Sequence, residues 1–164
     1  MNVITSRKKT RKFLFQKLFS DTYIENDIDL FKKSFMIKSF EWNLDEKYLS
    51  EMNELVKEKQ PELIELLKIY APKFSPEKMD LTYVLPIFIW ATEMLYFSEE
   101  IPAKVSLNEA VEISKTYWTE SSKRIVNWVM NAFYKNFEET KIKLENIENK
   151  TDFSFFDKNK VIKK

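Results

Sequence analysis

The first residues able to do chemistry are cations: Arg7, Lys8, Lys9, Arg11 and Lys12 form one short run, and no acid precedes Asp21. On a helix, Arg7, Lys8, Arg11 and Lys12 cover one broad face, with Leu14 and Leu18 turned elsewhere. Such a face binds phosphates mainly by releasing condensed counterions, and Arg adds a planar fork that also stacks on bases. Gln16, one turn beyond Lys12, can read a base edge, and Phe15 or Phe19 can stack on one. The bland alternative is a solvated helix face that aids solubility, and the run alone does not choose. A helix lying on a membrane surface is the weaker third option, because the core needs its apolar face.

Composition removes most other chemistries. With no Cys and no His, a zinc site is improbable, and His-based acid–base and nucleophilic arrangements are gone. With no Gly there is neither a phosphate loop nor a dinucleotide fingerprint. Asp and Glu total 26, yet they form no constellation. The chain therefore reads as a non-enzyme with no metal and no cofactor. A net charge of +1 says little about partners, since an even total hides local patches. The 44% hydrophobic and 32% charged residues fit a globular chain, and 164 residues suit one domain over 1–164. No apolar signal region precedes Arg7, and the most apolar stretch, Val84 to Phe97, is too short to span a bilayer and carries Glu93. No membrane and a cytoplasmic location are the expectations.

The elements that must position these residues are all helices. Thr5 or Ser6 caps a first helix running to about Ser20. A second covers Asp27 to Phe40, and a third starts near Asp45 and ends before Pro61. Pro61 suits the first turn of a fourth, which Ala71-Pro72 ends. Ser75-Pro76-Glu77-Lys78 opens a short helix, and Pro86 should start or kink the central one that continues to Phe97. Ser106-Leu107-Asn108-Glu109 has capping-box spacing ahead of a further helix. Thr119 to Ser122 can cap the next, in which Ile125, Val129, Phe133 and Phe137 recur every four residues. The charged stretch Thr140 to Lys150 extends it into solvent, and residues 151–164 form a basic, Phe-containing tail whose Phe153, Phe155 and Phe156 dock on the body. Without Gly, Asn or water must serve the helix C-termini.

One block carries a resemblance. Ile101-Pro102-Ala103-Lys104-Val105-Ser106-Leu107-Asn108-Glu109-Ala110-Val111-Glu112-Ile113-Ser114-Lys115 closely resembles the I-P-x-K-V-x-I-N-E-A-V-E-L-A-K run of the NusB family. Trp90-Ala91-Thr92-Glu93-Met94 resembles the family's A-L-Y-E-L, and Ser122-Lys123-Arg124-Ile125-Val126-Asn127 its S-x-K-F-V-N-G. The stretch from Arg7 to Phe19 resembles the R-R-x-A-R-x-x-A-x-Q-x-L-Y opening. The blocks lie in the family order, whereas about Asp21 to Lys78 matches only as generic helix. The resemblance implies an all-α, NusB-like fold of two small helical bundles, about seven helices in all. It implies binding of boxA-like single-stranded RNA together with NusE, a ribosomal small-subunit protein, within the transcription elongation complex. On the same ground Arg7, Lys8, Arg11, Gln16 and Phe19 carry over as RNA contacts, with Ser122 and Lys123 at a second site; the basic run adds Lys12. Glu93 carries over as the partner-facing acid, NusE docking on its helix and the next.

The departures are specific. Ser121 stands for a common Asp, and Ile125 for the usual Phe, which removes one stacking ring. Trp128 and Trp118 occupy places where the family has Gly, and an arginine usual in the A-L-Y-E-L helix is absent, with Phe88 nearest. Two functions from different classes follow. One is an RNA-binding antitermination or ribosomal-RNA processing factor. The other is an interaction module that kept the fold and lost RNA recognition, as in the NusB-like domain ahead of RNA 5-methylcytosine methyltransferases; with no Cys here, that activity would need a separate subunit. A homodimer masking the basic face stays open.

Overall fold

A computed structural model describes residues 6–24, 27–35, 44–73, 75–99, 101–117, 120–148, 150 and 152–156, with the backbone alone at 32–35, 76, 106, 110, 113–117, 121 and 122. The described residues form eight α-helices and no strand: α1 Arg7–Asp21, α2 Ile28–Phe35, α3 Glu46–Glu58, α4 Gln60–Tyr70, α5 Leu81–Tyr96, α6 Ala103–Tyr117, α7 Glu120–Lys135 and α8 Phe137–Glu145. The fold is all-α, as the sequence implies.

Local chemistry explains where these helices start. Ser6 is extended, and its hydroxyl accepts the Lys9 amide at 3.2 Å, so one of the unpaired amides of the first turn is satisfied. Asp45 does the same for α3 through Tyr48, and Asp80 for α5 through Thr82. Pro61 lies in the first turn of α4, where its missing N–H costs nothing. At the C-termini Asn replaces Gly: Asn136 and Asn146 donate side-chain amides to the carbonyls of Ala132 and Ile142.

Three expectations change. Helix α5 begins at Leu81, five residues ahead of Pro86, because the Asp80 cap nucleates it upstream and the proline is absorbed inside. Ser106 is not an N-cap: Pro102 already accepts the Val105 amide at 2.9 Å, so α6 starts at Ala103 and Ser106 lies within its first turns. The second helix is described from Ile28 to Phe35, and the rest of its expected span, to Phe40, lies outside the described residues. Thr140 to Lys150 does not prolong α7 into solvent. The helix is interrupted at Asn136, and α8 packs against α4 with Thr140 and Leu144 buried, the Thr140 hydroxyl 2.6 Å from that of Tyr70 on α4.

Helix α5 is the axis. Every residue from Tyr83 to Met94 is buried, and α1, α3, α4, α6 and α7 all pack on it. A helix apolar on all sides has no other stable place in water. One continuous core joins α1 and α3 (Phe13, Leu14, Leu49, Met52) to α7 (Val126, Val129, Phe133) through Trp90 and Phe88. Phe155 and Phe156 close it, held by Gln60, which accepts the Phe155 amide and donates to Ser154, both at 2.7 Å. No helix of the described residues is long and apolar enough to cross a membrane.

Candidate nucleic-acid interface

The i, i+4 spacing of α1 sets four of its cations, Arg7, Lys8, Arg11 and Lys12, on two stripes. Lys8, Lys12 and Gln16 run along one, with Lys8 exposed and the other two half-buried. Arg7 and Arg11 run along the other, which turns toward the body. Phe19, half-buried at the far end of α1, packs against Phe15 and Tyr23 with ring centroids 6.1 and 5.6 Å away. The single broad cationic face expected from sequence is thus two faces with different surroundings.

The inward stripe is held by acids from three helices. The Arg7 guanidinium forks onto Asp45 at 3.1 and 2.7 Å and lies 4.3 Å over the Tyr48 ring. Arg11 is 3% exposed and forks onto Glu93 of α5, Nε to Oε2 at 2.9 Å and a terminal nitrogen to Oε1 at 2.6 Å. Glu109 of α6 approaches its other nitrogen at 3.9 Å. Glu93 is itself 1% exposed, so the structure turns it inward to Arg11 and not outward to a partner. The physical reason is plain: a carboxylate on the most buried helix needs a paired cation, and Arg11 supplies a planar one. Burial opposes the charge on Arg11, yet the hydrogen bond and charge of Glu93 hold its pKa above the ordinary value. Tyr48 beside them is pushed well above the usual phenol range, first by burial and then by Glu93.

Asp45 joins two tasks, capping α3 and holding Arg7. Burial alone would raise its pKa; the Tyr48 amide and then Arg7 outweigh that and lower it from 3.8. A depressed carboxylate pKa stabilises the fold above the unfolded value and loses that contribution as pH falls through the folded one. Asp45→Asn is therefore expected to lower stability at pH 7 and to flatten the acid limb below about pH 4. Urea melts of both proteins from pH 7 to pH 2.5 check this; parallel curves would remove Asp45 from the acid response.

A second buried ionic cluster escaped sequence reading. Lys17, 1% exposed, donates to Asp21 at 2.7 and 2.5 Å, and Lys57 of α3 reaches the same carboxylate at 2.7 Å. Asp21 lies three residues after Leu18 and seven after Leu14, on their buried face. That register was the available signal.

The second expected contact region is the start of α7. Lys123 is half-buried and Arg124 exposed, whereas the Ser121 and Ser122 side chains lie outside what is described, as does all of Trp118. Ile125 packs on the core, and Trp128 projects outward. Among the described residues no group of acids could hold a metal ion.

A profile of the NusB family matches residues 8–135, from the cationic helix through α7. This chain belongs to the NusB family. It is 28% identical over 139 residues to the transcription antitermination protein NusB of Clostridium acetobutylicum, covering 85% of this chain and 99% of that one. The protein of the same name from Pseudoalteromonas atlantica is 28% identical, covering 79% and 91%, and that of Thermodesulfovibrio yellowstonii 27%, covering 79% and 91%. The NusB match thus takes in Lys8, Arg11 and Lys12 of α1, the Glu93 helix and α7.

Proposed function

We propose that this NusB-family chain is a cytoplasmic, non-enzymatic transcription antitermination or ribosomal-RNA processing factor. It binds boxA-like single-stranded RNA together with NusE and acts within the transcription elongation complex. The observation that carries the reading is the solvent-facing Lys8–Lys12 stripe on the first helix of a chain whose relatives include transcription antitermination proteins. In this reading Lys8 and Lys12 neutralise phosphates, Gln16 and Phe19 meet bases, and Ser122 and Lys123 hold the strand at α7. Arg7 serves one side of its fork to Asp45 and the other to RNA. Arg11 acts through position, anchoring α1 to α5. NusE docks on the outer face of α6, where Lys104, Val105, Asn108 and Glu112 are exposed at helical spacing.

The second reading, an interaction module without RNA recognition, is favoured by one observation: Ile125, half-buried against the core, stands where the family carries a stacking ring. Fluorescence anisotropy with a boxA-like RNA, at two salt concentrations and with or without NusE, separates the two. The expected result is salt-sensitive binding that tightens when NusE is added, log affinity falling by about 0.7 per phosphate contact for each decade of salt. NusE binding without any RNA binding would establish the module instead, and a dimer of this chain detected by light scattering would support masking of the basic face by self-association.

A further inference from the structure

Beyond the cationic stripe, a surface cavity of about 440 Å³ lies between the C-terminal end of α4 and the outer face of α7. Tyr70, Pro72 and Lys73 form one wall; Arg124, Ile125 and Trp128 form the other. Trp128 is 65% exposed, an uncommon fate for the largest apolar side chain. Its indole N–H donates to the Tyr70 carbonyl at 2.9 Å. That bond uses the ring's one polar atom and fixes its orientation, so what the indole still offers is a flat face. It also satisfies a carbonyl in the last turn of α4. Arg124 and Lys73 are exposed on opposite walls, and among the described residues no carboxylate lines the cavity.

An oriented aromatic face, aliphatic walls and two exposed cations complement a planar ring carried on an anionic backbone. The volume falls in the range of sites that enclose small ligands. We infer that this cavity accepts one nucleobase of a single-stranded RNA, stacked on Trp128, with Arg124 and Lys73 neutralising the flanking phosphates. The inference rests on the RNA-binding reading above and adds a base-accepting subsite built by α4 and α7, in a place the first helix does not reach by sequence. It also gives a use to the indole that stands where the family has Gly. The ring lost at Ile125 is replaced one turn along the same helix.

The test uses the full chain and a 12-nucleotide boxA-like RNA. Trp128→Ala is expected to weaken binding roughly 5- to 150-fold with the salt slope unchanged, since stacking carries no charge. Trp128→Phe should keep most of the affinity. Thermal melts check that the exposed position leaves the fold intact. On the unmutated chain, RNA carrying 5-iodouridine should photo-crosslink to Trp128, read by mass spectrometry. Unchanged affinity in Trp128→Ala, or crosslinks that map elsewhere, would overturn the pocket; loss of binding on charge reversal at Lys8 and Lys12 would then leave the RNA reading standing. No RNA binding by the unmutated chain would overturn both. A peptide captured in the same cavity without RNA crosslinking would overturn the assignment of its occupant.

Discussion

Arg11→Ala should destabilise the protein by about 3–5 kcal/mol, the largest effect expected of any single cation on α1. The reason lies in what the substitution leaves behind. Glu93 is 1% exposed on a helix buried from Tyr83 to Met94, and Arg11 fills two positions on its carboxylate. Removing the guanidinium strands a carboxylate that must then be desolvated alone or take up a proton. Removing both charges is a different experiment. Arg11→Met with Glu93→Leu substitutes apolar volume for the pair, and such exchanges are often close to neutral. The double variant should therefore recover more than half of the single variant's loss. Urea denaturation at pH 7 measures both. A single-variant loss below about 1 kcal/mol would mean that the pair contributes no more than an ordinary surface bridge.

Much of the fold was legible because helix ends are short-range events. Ser6, Asp45 and Pro61 mark starts by chemistry that acts within one turn, and each does so here. The failures came where two such signals competed or where a distant element decided. Ser106 had capping-box spacing, but Pro102 with its carbonyl nucleated α6 four residues earlier. Thr140 to Lys150 looked solvated because its alternating charges hide Thr140 and Leu144, which only packing against α4 buries. The site was legible in outline and not in its division of labour. Five neighbouring cations look equivalent in a sequence. Which of them face solvent depends on where α3, α5 and α6 place Asp45, Glu93 and Glu109, and those acids lie 38, 82 and 98 residues from their partners. Composition favours a surface role for every Lys and Arg, and that prior misplaces Lys17 as well as Arg11. Glu93 carried the one warning, a lone acid in the most apolar stretch of the chain.

That division separates stability from recognition, and the second large effect tests it. Lys8→Glu with Lys12→Glu is expected to leave the urea midpoint near that of the unmutated protein, because neither side chain is buried and surface substitutions usually change stability little. RNA binding should respond strongly. If each lysine neutralises one phosphate, losing both lowers the slope of log affinity against log salt by about 1.4. Extrapolated from 1 M to 0.1 M salt, that slope alone corresponds to a loss of about 25-fold, and the two added negative charges make this a lower bound. The deficit should narrow as salt rises, because these contacts contribute least there. The contrast with Arg11 then has a defined form. The lysine variant melts normally and binds poorly, while the Arg11→Met/Glu93→Leu variant, once folded, keeps the salt slope of the unmutated chain. If the lysine variant bound RNA with its slope intact, the strand would not run along this stripe. The phosphate contacts would have to be sought at α7, where Lys123 and Arg124 stand.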